Sequence, residues 1–318
     1  MNNYITNDDT IIFNSEFNEE LDIVLICGFK KLIFSDYELN EKLFEYYENN
    51  NFEDLKIKRN TFNRDVSKLP PFLKHLIFGS NFNQDVISLP PFLTHLTFGD
   101  NFNKNVLKLP PILTHLTFGF YFNKDVSELP HRITNLTFGW YFNKDVSNLP
   151  LTLIHLTFGH DFDQDVSVLP DGITHLIFGC NFNQDISKLP QGITHLIFGL
   201  DFNQHYDIPP NIKYLKLNCN NLYIINSLPN SVTELELDYS FNLQIDNLPT
   251  SIKKLVINKR SNYNMNLNCL PDFIEELYLN INYKKRIMNI PSKLKKIVCH
   301  KDYPHINDFL NSNVEIYE

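Results

Sequence analysis

The chain has 318 residues, a formal charge of −9 at pH 7 and a pI near 5.6, with 43% hydrophobic and 20% charged residues. That composition suits a folded chain, and the acidic balance argues against nucleic acid, whose phosphates call for a basic stripe. The basic clusters Lys253-Lys254, Lys284-Lys285-Arg286 and Lys295-Lys296 all sit among acidic neighbours.

The N-terminal stretch MNNYITNDDTIIF has neither a basic n-region nor an apolar h-region, so it does not read as a signal peptide. No apolar run approaches the ~20 residues that span a bilayer. Cys27, Cys180, Cys219, Cys269 and Cys299 are odd in number and include no C-x-x-C, which indicates neither a disulfide framework nor a zinc knuckle. Asn135-Leu136-Thr137 is formally a glycosylation sequon, but it falls inside a repeat and is read as accidental. These features predict an intracellular chain of a reducing compartment, the cytoplasm, with no membrane association.

In chain order, residues 1–20 are expected to cap the array. Residues 21–68 hold degenerate repeats, with Phe29, Leu32, Phe34 and Phe52, Leu55, Ile57 as two eroded copies and Glu41–Tyr47 as a short helix between them. Residues 69–203 carry seven regular copies. Leu-Pro recurs at Leu69, Leu89, Leu109, Leu129, Leu149, Leu169 and Leu189, always twenty residues apart, and each copy then shows Phe-Gly, from Phe78-Gly79 to Phe198-Gly199. A third column runs from Phe82 to Phe202, so the unit reads LPxxLTHLTFGxxFNxDVSx. Residues 204–300 continue in weaker form, with Pro209, Pro229, Pro249, Pro271 and Pro291 each followed by an apolar-x-x-apolar-x-apolar run. Residues 301–318 close the array, Asn311 to Glu318 reading as a final edge strand.

This period predicts a β-rich repeat solenoid of the leucine-rich-repeat type, about fourteen coils of ~20 residues with a parallel sheet on one face. Leu96 and Phe98 alternate with His95 and Thr97, so one pair faces inward and the other outward. The inward pair is buried only if copies stack, because one coil cannot enclose a core. Gly99 then ends the strand, through positive φ or through close backbone approach. Phe102, Val106 and Leu109 form the opposite wall, and Pro110 presets the turn into the next strand.

The unit, best carried by Phe82-Asn83-Gln84-Asp85-Val86 and Phe182-Asn183-Gln184-Asp185-Ile186, resembles the FNIP repeat, a relative of the leucine-rich repeat found in social amoebae and giant viruses of amoebae. For a viral member the expected location is the host cytoplasm. Some members carry an N-terminal F-box, and the resemblance therefore implies, as an alternative role, a substrate-recruiting subunit that engages ubiquitin-ligase components. No F-box is visible before the first eroded repeat.

The outward columns are the places to look for chemistry. His75, His95, His115, His155, His175 and His195, interrupted by Asn135, should form an exposed histidine ladder. A straight column gives a metal no converging third or fourth ligand, so no metal is expected there. Mutual repulsion should make the ladder resist protonation, and neutral rings hydrogen-bonded along a ladder are the structural alternative. The Asp column (Asp65, Asp85, Asp125, Asp145, Asp165, Asp185) and the Asn column (Asn83 to Asn203, with Asp163) are expected to bind turn backbone. Glycine-rich calcium nonapeptides and regular T-x-T ice-binding ranks are missing, and no cofactor motif occurs.

Catalytic residue types recur in register like scaffold, whereas an active site would break the repeat. A non-enzymatic protein-protein interaction scaffold is therefore expected. Its partner should engage the strand face and rim where the repeat varies. The two residues after each glycine turn aromatic only in the middle copies, so Phe120, Tyr121, Trp140 and Tyr141, with the adjacent His160, are the expected partner-binding patch.

Overall fold

The computed structural model describes residues 3–39, 42–49, 57–309 and 313–317. The chain divides into two compact units, Met1–Phe162 and Asp163–Glu318.

The first unit holds β1 (Tyr4–Thr6), β2 (Thr10–Phe13), α1 (Ile23–Ile26), β3 (Lys31–Phe34), α2 (Lys42–Asn49), β4 (His75–Ile77), β5 (His95–Thr97), β6 (His115–Thr117), β7 (Asn135–Thr137) and β8 (His155–Thr157). β1 lies antiparallel to β2, and from β2 to β8 each strand pairs in parallel with the next. The second unit holds β9 (His175–Ile177), β10 (His195–Phe198), β11 (Tyr214–Leu217), α3 (Leu222–Asn226), β12 (Glu234–Leu237), β13 (Lys254–Ile257), β14 (Glu276–Tyr278), β15 (Lys296–His300) and β16 (Asn313–Tyr317), again all parallel. Each unit is thus a β-solenoid of ~20-residue coils, the architecture a repeat of that period selects. The described part of the expected C-terminal strand is β16.

Register follows the repeat without slip. His95 pairs with His115, Leu96 with Leu116 and Thr97 with Thr117, so like residues superpose along the array. Leu96, Phe98, Phe102, Val106 and Leu113 are buried. The core is an aromatic double column: Phe98 stacks on Phe102 at 3.7 Å within a coil, and Phe102 stands 6.1 Å from Phe122 in the next. After Pro110 the chain turns through a hydrogen bond from Leu113 N–H to the Pro110 carbonyl, 3.1 Å, which starts the next strand.

Of the two roles open to the glycine, close approach is the operative one. A Cβ on Gly139 would sit 1.9 Å from the Gly119 carbonyl oxygen, and one on Gly119 would sit 2.2 Å from that of Gly99. Coils therefore touch backbone to backbone at this corner, and any side chain would hold them apart.

The turn columns also act between coils. Asn83 Oδ1 accepts from Asn103 N–H and Asn103 Oδ1 from Asn123 N–H, each at 3.0 Å. The aspartates work locally: Asp125 accepts from the N–H and hydroxyl of Ser127, and these bonds hold its carboxyl below the usual range.

One expected copy is corrected. β3 pairs directly with β4, Lys31 opposite His75, so no sheet strand comes between them among the described residues. Ile57 is 77% exposed and bridges antiparallel to Tyr37; Phe52 and Leu55 lie outside the described residues. The expected short helix is present as α2, with Glu41 outside the described residues. Phe62 restarts the core, stacking on Phe34 at 3.9 Å. The insertion also has a packing role: Leu43 of α2 is buried with Ile12 and Ile33, covering the outward face of β2 and β3.

Candidate partner-binding rim

Beyond each glycine the backbone stays tied to the preceding coil. Tyr121 N–H donates to the Asp100 carbonyl (2.8 Å), Tyr141 N–H to that of Phe120 (3.0 Å) and Asp161 N–H to that of Trp140 (2.9 Å). This ladder aligns residues 120, 140 and 160 in one column and 121, 141 and 161 in a second. Phe120 stacks on Trp140 at 5.3 Å, and Trp140 stacks on His160 at 4.2 Å, nearly parallel. Tyr121 stacks on Tyr141 at 5.4 Å. Phe120 meets both tyrosines edge-on, at 5.0 and 5.2 Å, which locks the two columns together. His160 Nδ1–H donates to Asp161 at 2.6 Å, so that imidazole is oriented as well.

The structure therefore brings together all five residues singled out in the sequence. Tyr121, Trp140 and Tyr141 remain 48%, 43% and 41% exposed. Phe120 and His160 stack on the Trp140 indole from the preceding and following coils. Phe122 and Phe142 belong to the core, stacked on Phe118 and Phe138. The rim positions nearer the N-terminus are small or polar: Ser80 is buried, and Asn101 donates to Asn81 at 2.9 Å.

The histidine column is half-buried rather than exposed. Adjacent strands lie ~4.8 Å apart, yet His75, His95 and His115 stack at 4.2 and 4.1 Å, as do His175 and His195 at 4.1 Å. The rings lean together and cover one another. Their tautomer is set locally. Thr94 Oγ1 donates to the Lys74 carbonyl at 3.1 Å, so its contact with His95 Nδ1 at 3.0 Å is one in which Nδ1–H donates to the hydroxyl oxygen. Thr114 does the same for His115, and Thr194 for His195. His155 follows Ile154, which has no hydroxyl, and instead accepts from the Asn135 amide at 3.1 Å, placing its proton on Nε2. Burial lowers His75, His95 and His115 below the ordinary imidazole value, His95 to about 4, where the neighbouring His75, His115 and Lys31 add repulsion. Among the described residues, no group of three or more His, Cys, Asp or Glu side chains could hold a metal ion. No helix of the described residues is long and apolar enough to cross a membrane.

The strand face of the second unit carries a feature that reading the regular repeat missed. Lys216 pairs with Glu236 (2.8 Å) and Asp238 (3.1 Å), Lys254 with Glu234 (2.6 Å) and Lys296 with Glu315 (2.9 Å). The Tyr278 ring lies 5.6 and 5.4 Å from the ammonium groups of Lys254 and Lys296. The alternation of Lys and Glu at equivalent strand positions, Glu234, Lys254, Glu276 and Lys296, was the signal available in the sequence.

The coil, the parallel sheet and the buried Leu/Phe columns define a leucine-rich-repeat-type solenoid, a fold that commonly mediates protein–protein interaction. The family model described as FNIP Repeat matches residues 62–101, 85–121, 125–161, 145–181, 162–201, 182–220, 202–240 and 220–260. The chain belongs to the FNIP repeat family. Among solved structures it is similar to CroV588, a giant-virus protein described as a novel circular leucine-rich-repeat structure, with 27% identity and a TM-score of 0.63 over 99% of this chain and 60% of that one. The chain thus spans about three fifths of the length of that relative. The functional domain of InlJ from Listeria monocytogenes, described as including a cysteine ladder, shares the fold at 14% identity and a TM-score of 0.52, over 97% of this chain and 68% of that one. No curated protein matches the chain.

Proposed function

We propose that this protein is a non-enzymatic interaction scaffold that captures a protein partner on the rim formed by Phe120, Tyr121, Trp140, Tyr141 and His160. The observation that carries the reading is the pre-stacked, exposed aromatic cluster at the one stretch of the regular array where the rim turns aromatic. Stacking has already removed rotamer freedom from these side chains, so a partner orders them at little entropic cost. Trp and Tyr dominate interface hot spots, each worth upwards of ~2 kcal/mol. The free cysteines fit a reducing compartment such as the cytoplasm.

Affinity purification of the full chain from its native cell, run beside Trp140→Ala and Tyr121→Ala, tests the proposal. The expected result is a partner retained by the wild type and weakened ~30-fold or more by each substitution, with unchanged circular dichroism and melting. Equal capture by wild type and both variants would refute the rim as the binding site. Ubiquitin-ligase components retained alike by the wild type and both variants, beside a rim-dependent substrate, would assign the substrate-receptor role.

A further inference from the structure

The long connection between β3 and β4 changes the strand face beside it. The outward apolar column runs Ile12, Ile33, Ile77 and then Thr97 and Thr117, and α2 covers its first members. Tyr46 and Tyr47 of α2 line the same cleft as the start of the histidine column, where Lys31 is the direct strand neighbour of His75. The result is a cleft of about 460 Å³ lined by His75, His95 and His115 with Thr97 and Thr117, and by Lys31. That volume falls in the usual range for small-ligand sites.

The donor inventory selects the ligand. His95 and His115 have Nδ1–H committed to Thr94 and Thr114, while their Nε2 atoms have no partner among the described residues. No carboxylate occurs among the described residues that line the cleft, and the Lys31 ammonium, which donates to the Tyr47 carbonyl at 3.2 Å, disfavours a cation. An anion meets a lone pair at Nε2 unless a proton arrives with it.

We propose that this cleft binds a carboxylate-bearing ligand together with one proton. The proton passes from solvent to Nε2 of His95 or His115, Nδ1–H stays on its threonine, and the resulting imidazolium donates to the carboxylate. The His95 and His115 rings stack with centroids 4.1 Å apart, so the proton can reside on either one and the carboxylate accepts from that ring. The groups whose charge reaches the rings are Lys31 on β3, Asp9 in the β1–β2 turn, Lys74 before β4 and His155 on β8. Burial and this mainly cationic surround keep the empty rings neutral, so ligand and proton must bind as a pair. This site is separate from the rim and stands independently of the scaffold reading.

Calorimetry on the full chain with fumarate, at pH 7 and pH 6 in two buffers of different ionisation enthalpy, tests the linkage. A tetraglutamate peptide distinguishes an acidic side chain from a small acid as the source of the carboxylate. Either probe should bind with uptake of about one proton and tighten up to ~tenfold for that unit fall in pH. Ring-carbon NMR of labelled histidines should show shifts at His75, His95 and His115 and little change at His175 and His195, a stack outside the cleft. The double variant His95→Asn, His115→Asn, copying the residue already accommodated at Asn135, should remove most of the pH dependence while the fold persists. Absence of binding by both probes, equal shifts in both stacks, or tighter binding of inorganic phosphate than of either carboxylate would overturn the proposal.

Discussion

Acidification from pH 7 to pH 5 should weaken the first unit through its stacked histidines, and the size of the effect follows from His95. Its imidazole titrates near 4 in the fold against 6.5 without it. Because the folded value is depressed, the unfolded chain holds more protons throughout that window. Stability is therefore greatest above about 6.5 and falls as pH drops toward 4, below which this group adds no further loss. At pH 5 the unfolded ring is charged and the folded ring is mostly neutral, a difference worth about 2 kcal/mol at that pH before screening. The ring is only half-buried, and screening by solvent reduces this to about 1 kcal/mol. His75 and His115 are shifted the same way and add to it. A total of ~1–3 kcal/mol should lower the melting temperature by several degrees. Thermal melts by circular dichroism, in buffers free of carboxylates, measure it. The triple variant His75→Asn, His95→Asn, His115→Asn should flatten the dependence between pH 7 and pH 5. The depressed carboxyls of Asp65, Asp125, Asp165 and Asp185 act at lower pH and do not imitate the effect. Coincident melts at the two pH values, or an equal shift in the triple variant, would refute the reasoning.

Gly139→Ala should destabilise the first unit by ~1–3 kcal/mol or more, because its Cβ meets the Gly119 backbone, whereas Gly28→Ala should be neutral since nothing lies within 4 Å of its Cβ; matching urea midpoints for the two would contradict the close-approach account. Phe122→Ala, at a fully buried ring, should cost ~3–5 kcal/mol, and a loss below 1 kcal/mol in the same titration would mean that the phenylalanine column is not load-sharing core. Imidazole nitrogen NMR at pH 7.5 should find His95, His115 and His195 protonated at Nδ1 and His155 at Nε2; a single tautomer throughout would break the threonine argument. Thr94→Val should release His95 alone from its tautomer.

The solenoid, its inward columns and its register were legible in the sequence because a fixed twenty-residue period leaves one way to bury Leu96, Phe98 and Phe102: stacking like on like. The rim cluster was legible for the complementary reason, since Phe120, Tyr121, Trp140 and Tyr141 depart from an otherwise regular unit. Local spacing could not separate positive φ from close approach at the glycine, which depends on how near the Gly119 backbone comes to Gly139. It also mistook Ile57 for part of a coil, because a short apolar run reads alike whether it pairs in the sheet or loops out. Most of all, sequence placed the histidines in a column but not their environment. The lean of the rings, their threonine-held protons and the cleft that α2 lines beside them arise from residues far apart in the chain, Lys31, Tyr47 and His115. Only folding brings these groups within reach of one another, and their electrostatics depend on that distance.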